Sequence, residues 1–203
     1  MSLIREGAAF FPGYFSRKGQ EDLVETLRDL VREAPFYTPV MPRSGRPLSV
    51  RMTNCGPLGW VCDRAGYRYQ PTHPETGKPW PAMPQTLLDL WRDVTEGVCE
   101  PEACLINFYD SQARMGLHQD KDEEAFEAPV LSVSLGDECL FRIAKGEGKS
   151  PTMSLRLRSG DVLVLGGPAR LAYHGVDRIY PATSTLLPQG GRINLTLRRV
   201  NPC

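Results

Sequence analysis

His118 and Asp120 stand two residues apart in the stretch CLINFYDSQARMGLHQDKD, residues 104–122. In extended backbone, side chains at that spacing leave the same face of a strand. A neutral imidazole beside a carboxylate is the start of a facial metal triad. Such a triad holds Fe(II) with two His and one carboxylate and leaves coordination positions open for chemistry. Its third ligand must come from a distant strand. The chain has three histidines, at 73, 118 and 174. His73 lies in a Thr-His-Pro turn and reads as a surface residue. His174 follows LVLGGPARLAY, where the pattern has a strand ending and a loop beginning. Taken alone, His174 reads as a hydrogen-bonded structural histidine. Taken with the His-x-Asp pair and an arginine-bearing strand near the C-terminus, it reads as the third ligand.

That strand is RINLTLRRV, residues 192–200. Arg192, Asn194, Thr196 and Arg198 share one parity, and Ile193, Leu195 and Leu197 share the other. A two-residue period puts the polar set on one face and the aliphatic set on the opposite face. The pattern fits an ordinary strand with a solvated face. It equally fits a strand whose polar face lines a barrel interior while its aliphatic face meets helices. In the second case the backbones of Arg192 and Arg198 lie roughly 20 Å apart. Each side chain reaches roughly 6–7 Å, so the two heads can lean inward and bracket a small dicarboxylate. Guanidinium suits that ligand because its N–H donors match both carboxylate oxygens.

The elements that must position these residues fall into two halves. SRKGQEDLVETLRDLVREA (16–34) reads as an amphipathic helix with Ser16 as N-cap, Leu23, Leu27, Leu30 and Val31 on one stripe, and Pro35 as its stop. A second helix begins after Pro84 and buries Leu87, Leu88, Leu90, Trp91 and Val94. Between them, the Pro-, Gly- and Arg-rich residues 36–83 read as loops and short strands. From Cys104 onward short strands recur: CLINFYD, VLSVSLG (130–136), ECLFRI (138–143), MSLRLR (153–158), VLVLGG and the last strand. Strands at this spacing predict a β-sandwich or barrel, with the two helices covering one face of a sheet.

At 203 residues the chain is expected to form a single domain, 1–203. Residues 1–100 form an N-terminal extension with the helices in this reading, with an aromatic, Gly/Pro-rich loop region at about 50–83, and residues 104–200 form the core. Twenty-four basic and 24 acidic residues cancel, which argues against a protein that holds nucleic acid by bulk charge. A local basic patch remains open, from Arg43, Arg46, Arg51, Arg64 and Arg68. Six cysteines without a CxxC pair read as free thiols in a reducing compartment. The opening MSLIREGAAFFPGYF has too short an apolar core for a signal peptide, and no segment approaches a membrane span. A cytoplasmic monomer is the expectation.

Asn107 and Tyr109, then His118-x-Asp120-x-Asp122-Glu123, then His174, then Arg192-x-Asn194-x-Thr196-x-Arg198 together resemble the AlkB family of Fe(II)/2-oxoglutarate-dependent dioxygenases, in its bacterial DNA-repair branch. MTNCGPLGW (52–60), GYRY (66–69) and KPWPAMP (78–84) resemble it too, so the likeness covers roughly residues 50–200. The resemblance implies a mainly β fold with flanking helices, a double-stranded β-helix (jelly roll) core. It implies His118, Asp120 and His174 as iron ligands. Arg192 and Tyr109 would hold the far carboxylate of 2-oxoglutarate, with Asn107, Asn194 and Arg198 around its other polar end. Trp60, Tyr67 and Tyr69 match the nucleotide-recognition lid, and Asp122 would face a flipped base. The implied reaction takes O2 and 2-oxoglutarate and removes methyl groups from alkylated DNA, or RNA, with N1-methyladenine and N3-methylcytosine as the expected lesions.

The residues alone are consistent with that lid. Aromatics in a Gly/Pro-rich loop near Arg51, Arg64 and Arg68 can stack a base and hold flanking phosphates, or can pack the loop onto the core. Two other readings compete. One is an oxygenase of the same core acting on RNA, protein or a small metabolite. The other is a non-enzymatic jelly-roll module, which two inward arginines and an open triad disfavour.

Overall fold

The computed structural model describes residues 2–95, 99–146, 148–149 and 151–203. Strands β1 (Ser2–Arg5) and β2 (Ala8–Phe11) precede helix α1 (Arg17–Glu33). Strands β3 (Arg51–Cys55), β4 (Gly59–Asp63) and β5 (Gly66–Gln70) lead to helix α2 (Gln85–Thr95). The second half is built mainly of strands: β6 (Ala103–Tyr109), β7 (Met115–His118), β8 (Val130–Gly136), β9 (Glu138–Ala144) and β10 (Thr152–Leu157). It closes with β11 (Val162–Leu165), a 3-10 turn at Gly167–Ala169, β12 (His174–Tyr180) and β13 (Arg192–Arg198).

These strands form a seven-stranded sheet, ordered β1-β2-β11-β8-β13-β6-β3, and a four-stranded sheet, ordered β10-β9-β12-β7. Strands β4 and β5 make a separate hairpin. One apolar cluster joins Leu105, Leu163 and Leu165 of the large sheet to Phe141, Ile143, Val176 and Ile179 of the small one. Two antiparallel sheets packed across such a core form the expected jelly roll.

The other face of the large sheet carries the helices. Ser16 caps α1 by accepting the Gly19 N–H at 3.2 Å, and Pro35, which lacks an N–H, follows its last turn. Leu23, Val24, Leu27 and Leu30 of α1 and Leu87, Leu90 and Trp91 of α2 are buried. They share a cluster with Ile106, Leu131, Val133, Leu135, Ile193, Leu195 and Leu197. The expected covering of one sheet face is therefore present, though Val31, Leu88 and Val94 lie at its half-exposed margin. Each fully buried aliphatic side chain contributes about 1.5–3 kcal/mol. It is this outer burial that frees the opposite parity of β13 and β6 to carry polar groups inward.

Several expectations are corrected. Strands β1 and β2 were not anticipated; β2 pairs with β11 and extends the large sheet. His174 does not begin a loop: the chain turns at 167–173, and His174 opens β12. His73 is not a surface residue. It is 1% exposed, packs between Tyr37 and Trp80, and places Nε2 2.8 Å from the Pro35 carbonyl. Cys99 and Cys203 are joined as a disulfide, whereas Cys55, Cys62, Cys104 and Cys139 are free thiols, as expected of all six, and are buried. Among the described residues no helix is long and apolar enough to cross a membrane.

Candidate metal centre and substrate cavity

His118 ends β7 and His174 opens β12, and the two are cross-strand partners. Their rings lie 4.5 Å apart. That approach depends on Gly175, where a Cβ would sit 2.5 Å from the Met115 carbonyl oxygen. Asp120 follows just past the end of β7. Its Oδ1 lies 3.8 Å from His118 Nε2, and its Oδ2 lies 3.7 Å from His174 Nε2. The ligand atoms of all three residues fall within 4.8 Å of one another.

The tautomers follow from the neighbours. Nδ1 of His118 is 2.9 Å from the Gly116 carbonyl, and Nδ1 of His174 is 2.9 Å from the Ala172 carbonyl. A carbonyl only accepts, so each Nδ1 carries a hydrogen and Nε2 is the nitrogen left to face a metal. Burial pushes the His174 imidazole down to about 4, against the partial opposition of Asp120, so it is neutral at ordinary pH. Burial alone would raise the Asp120 carboxyl, but the Arg198 guanidinium, with His174, His118 and Arg170, holds it at about 2. Arg198 Nη2 donates to Asp120 Oδ1 at 2.7 Å, while Oδ2 is buried without a hydrogen-bond partner. Two imidazole Nε2 atoms and one unpartnered carboxylate oxygen fit a divalent metal.

The triad opens into a cavity of about 420 Å³. Asn107, Tyr109, Asn194 and Arg198 line it. Asn194 is committed within the protein, since its Nδ2 donates to Ser132 Oγ at 2.7 Å and its Oδ1 accepts from Thr196. Asn107 Oδ1 is buried and unpartnered. Arg192 adjoins the cavity through Tyr109, with its guanidinium carbon 5.5 Å from the Tyr109 ring centre. It is 1% exposed and gives Nη2 to Ser134 Oγ at 2.8 Å, but Nε and Nη1 have no partner. Burial lifts the Tyr109 phenol to about 12, so it stays a donor. A buried guanidinium with free N–H groups, beside a protonated phenol, fits a carboxylate ligand. The predicted bracket of two arginines is not formed, because Arg198 is engaged on Asp120.

Above the cavity stands the β4–β5 hairpin. Trp60 stacks on Tyr67 with ring centres 5.7 Å apart and planes 20° apart. Trp60 Nε1 donates to Asp122 Oδ2 at 2.8 Å, and all three residues line the cavity. Tyr69, directly across the hairpin from Trp60, does not line it; its hydroxyl donates to the buried Glu123. Two of the arginines expected to meet phosphates are occupied. Arg68 forks onto Asp63, at 2.8 and 3.0 Å, and Arg51 lies 4.7 Å from the Phe108 ring centre.

The family model of the 2OG-Fe(II) oxygenase superfamily matches residues 7–198. The chain is 54% identical over 193 residues to an alpha-ketoglutarate-dependent dioxygenase AlkB homolog of Caulobacter vibrioides, covering 95% of this chain and 87% of that protein. It is 41% identical over 189 residues to alpha-ketoglutarate-dependent dioxygenase AlkB of Escherichia coli K12, covering 91% and 87%. The chain belongs to the AlkB family. The solved structure of OsALKBH1 superimposes with a TM-score of 0.84 at 31% identity, covering 98% of this chain and all of that one. As an AlkB-family oxygenase, the protein uses Fe(II), 2-oxoglutarate and O2.

Two residues with no expected role sit behind the AlkB-type triad. Arg170 gives Nη1 to the Asp120 backbone carbonyl at 2.7 Å and Nη2 to Glu123 at 3.0 Å. Phe141 stacks on His174 with centres 5.8 Å apart. Arg170 lies in an irregular turn, where no period marks a side chain as inward, so pattern could not have found it. Phe141 was findable as an inward position of β9.

Proposed function

We propose that this AlkB-family enzyme removes methyl groups oxidatively from N-alkylated bases in DNA, of the N1-methyladenine and N3-methylcytosine type, and so reverses alkylation damage directly. His118, Asp120 and His174 hold the iron in this reading. When bound, iron and 2-oxoglutarate supply the oxidising power drawn from O2, with succinate and CO2 as products alongside formaldehyde from the methyl group. Arg192, oriented by Ser134, takes the far carboxylate of 2-oxoglutarate through its two unpartnered N–H groups, and Tyr109 adds a donor. Asn107 offers a free oxygen at the cavity wall.

The observation that carries the DNA reading is the Trp60–Tyr67 stack held over the triad by Asp122. A flat aromatic platform beside a carboxylate suits a flipped base that methylation has made cationic. The carboxylate favours that base over the neutral product, and weakened pairing lowers the cost of flipping it. Asp122 would exchange its indole partner for the base, and Trp60 would turn its face to it. The protein works as a monomer in the cytoplasm in this proposal.

The test adds Fe(II) and 2-oxoglutarate anaerobically, then air and a methylated oligonucleotide, and measures formaldehyde and succinate. Methylated DNA should yield equal formaldehyde and succinate above the unmethylated control. If methylated RNA alone does so, the substrate assignment moves to RNA. If neither does, the nucleic-acid reading fails.

A further inference from the structure

The Glu123 carboxylate is 1% exposed and both its oxygens are engaged inside the protein. Oε1 accepts from the Tyr69 hydroxyl and faces Arg198 Nε at 3.5 Å; Oε2 accepts from Arg170 Nη2 at 3.0 Å. Each partner leads elsewhere. Arg198 holds the Asp120 side chain and Arg170 holds the Asp120 backbone, both at 2.7 Å. Tyr69 belongs to the lid hairpin and is the cross-strand partner of Trp60.

Arg198 is thereby held by two hydrogen bonds and by the charge of Glu123. Nη2 donates to Asp120, Nη1 donates to the Tyr69 oxygen at 3.2 Å, and Nε faces Glu123. A guanidinium is a planar fork, so two hydrogen bonds from its Nη atoms, with the Glu123 charge 3.5 Å from Nε, set which Asp120 oxygen it occupies. It occupies Oδ1, which leaves Oδ2 beside His174. Two guanidiniums and two carboxylates balance in this buried group. Burial, together with the adjacent carboxylates, raises the Tyr69 phenol well above its ordinary value, so the hydroxyl keeps its proton as a donor to Glu123.

We propose that Glu123 is a positioning residue which, with the Tyr69 hydroxyl, sets through Arg198 and Arg170 the orientation of the Asp120 carboxylate and so ties the lid hairpin to the metal centre. The inference rests on the reading of His118, Asp120 and His174 as metal ligands, and it moves Tyr69 from base contact to support of the metal site. If the Tyr69 hydroxyl or the Glu123 charge is lost, Arg198 can turn, Oδ1 is released, and both Asp120 oxygens compete for the metal.

The test uses Co(II) alone, without nucleic acid or cosubstrate, and reads both its affinity and its d–d absorption bands. Removing an outer partner of a metal ligand commonly costs about 10–100-fold in affinity, so Glu123→Gln should bind Co(II) about tenfold more weakly. Tyr69→Phe, which deletes one hydroxyl and keeps the ring, should cost about threefold. Both variants should shift the bands, which a purely structural role would leave in place. Because the two groups act along one path, Tyr69→Phe in the Glu123→Gln background should add almost nothing. Wild-type bands and affinity in Tyr69→Phe would overturn the inference, as would fully additive losses. Should Glu123→Gln not fold, its two arginines having lost a counter-charge, Tyr69→Phe decides alone. Failure of the wild-type protein to bind Co(II) would sink the triad reading and this inference with it.

Discussion

Arg192→Met should move cosubstrate affinity and stability in opposite directions. The Arg192 side chain is buried, its polar partner is the neutral Ser134 hydroxyl, and no carboxylate among the described residues lies within ion-pair distance. A bound 2-oxoglutarate would supply the missing counter-charge. Deleting one member of a buried, hydrogen-bonded charge pair costs about 2–5 kcal/mol of binding. At about 1.4 kcal/mol per decade, that weakens 2-oxoglutarate roughly 30- to 4,000-fold. Methionine fills similar volume without a charge, so the ligand-free protein should gain about 1–2 kcal/mol, from relief of an uncompensated buried cation. For a chain of this size about 1 kcal/mol is worth 2–4 °C, so the melting temperature should rise by about 2–8 °C. The assay is thermal unfolding with Mn(II) as a redox-quiet metal, with and without 2-oxoglutarate. At a hundredfold excess over Kd the wild type should gain about 2.7 kcal/mol from the ligand, and Arg192→Met almost none. A variant that keeps the wild-type response to 2-oxoglutarate would refute the role assigned to Arg192.

His174→Ala should weaken metal binding by tenfold or more and abolish succinate formation, while chelation of the wild type should lower its melting temperature toward that of the variant; iron titration checks both. Trp60→Ala with Tyr67→Ala should lose about ten- to a hundredfold in formaldehyde yield per lost stack while slow succinate formation without nucleic acid persists, since stacking contributes about 1–3 kcal/mol per base. A paired measurement in which both products fall together would make these aromatics structural. Leu195→Ala, at a fully buried site facing the helices, should destabilise by about 2–5 kcal/mol in urea unfolding without changing the Co(II) spectrum of the folded fraction.

How much was legible depended on whether a side chain obeyed a period. Leu131, Val133 and Leu135 alternate with Ser132 and Ser134, and β8 was readable from that alone. β12 was not, because a bulge between Val176 and Arg178 shifts its register and puts Asp177 and Arg178 into the pattern. β1 and β2 are four residues each, too short to show alternation, and gain their place only by pairing with β11. His73 misled for another reason. Its Pro-flanked turn has the composition of a surface loop, yet the ring is tucked under by Pro35, 38 residues away. The same limit applies to the site. His118, Asp120 and the polar face of β13 were found from spacing, whereas Arg170, Glu123 and the diversion of Arg198 onto Asp120 depend on contacts 47–78 residues apart.

One strand, β13, carries the apolar residues that anchor the helices on one side and the arginines of the cavity on the other. In a sheet, a slip of one residue exchanges the two faces. A misregistered β13 would drive Arg192 and Arg198 into α1 and α2 and point Ile193, Leu195 and Leu197 at the metal. The outer mistake would be as damaging as the inner one. A slipped β13 would therefore lose its anchor to the helices and, in the same step, the Arg198 contact that orients Asp120.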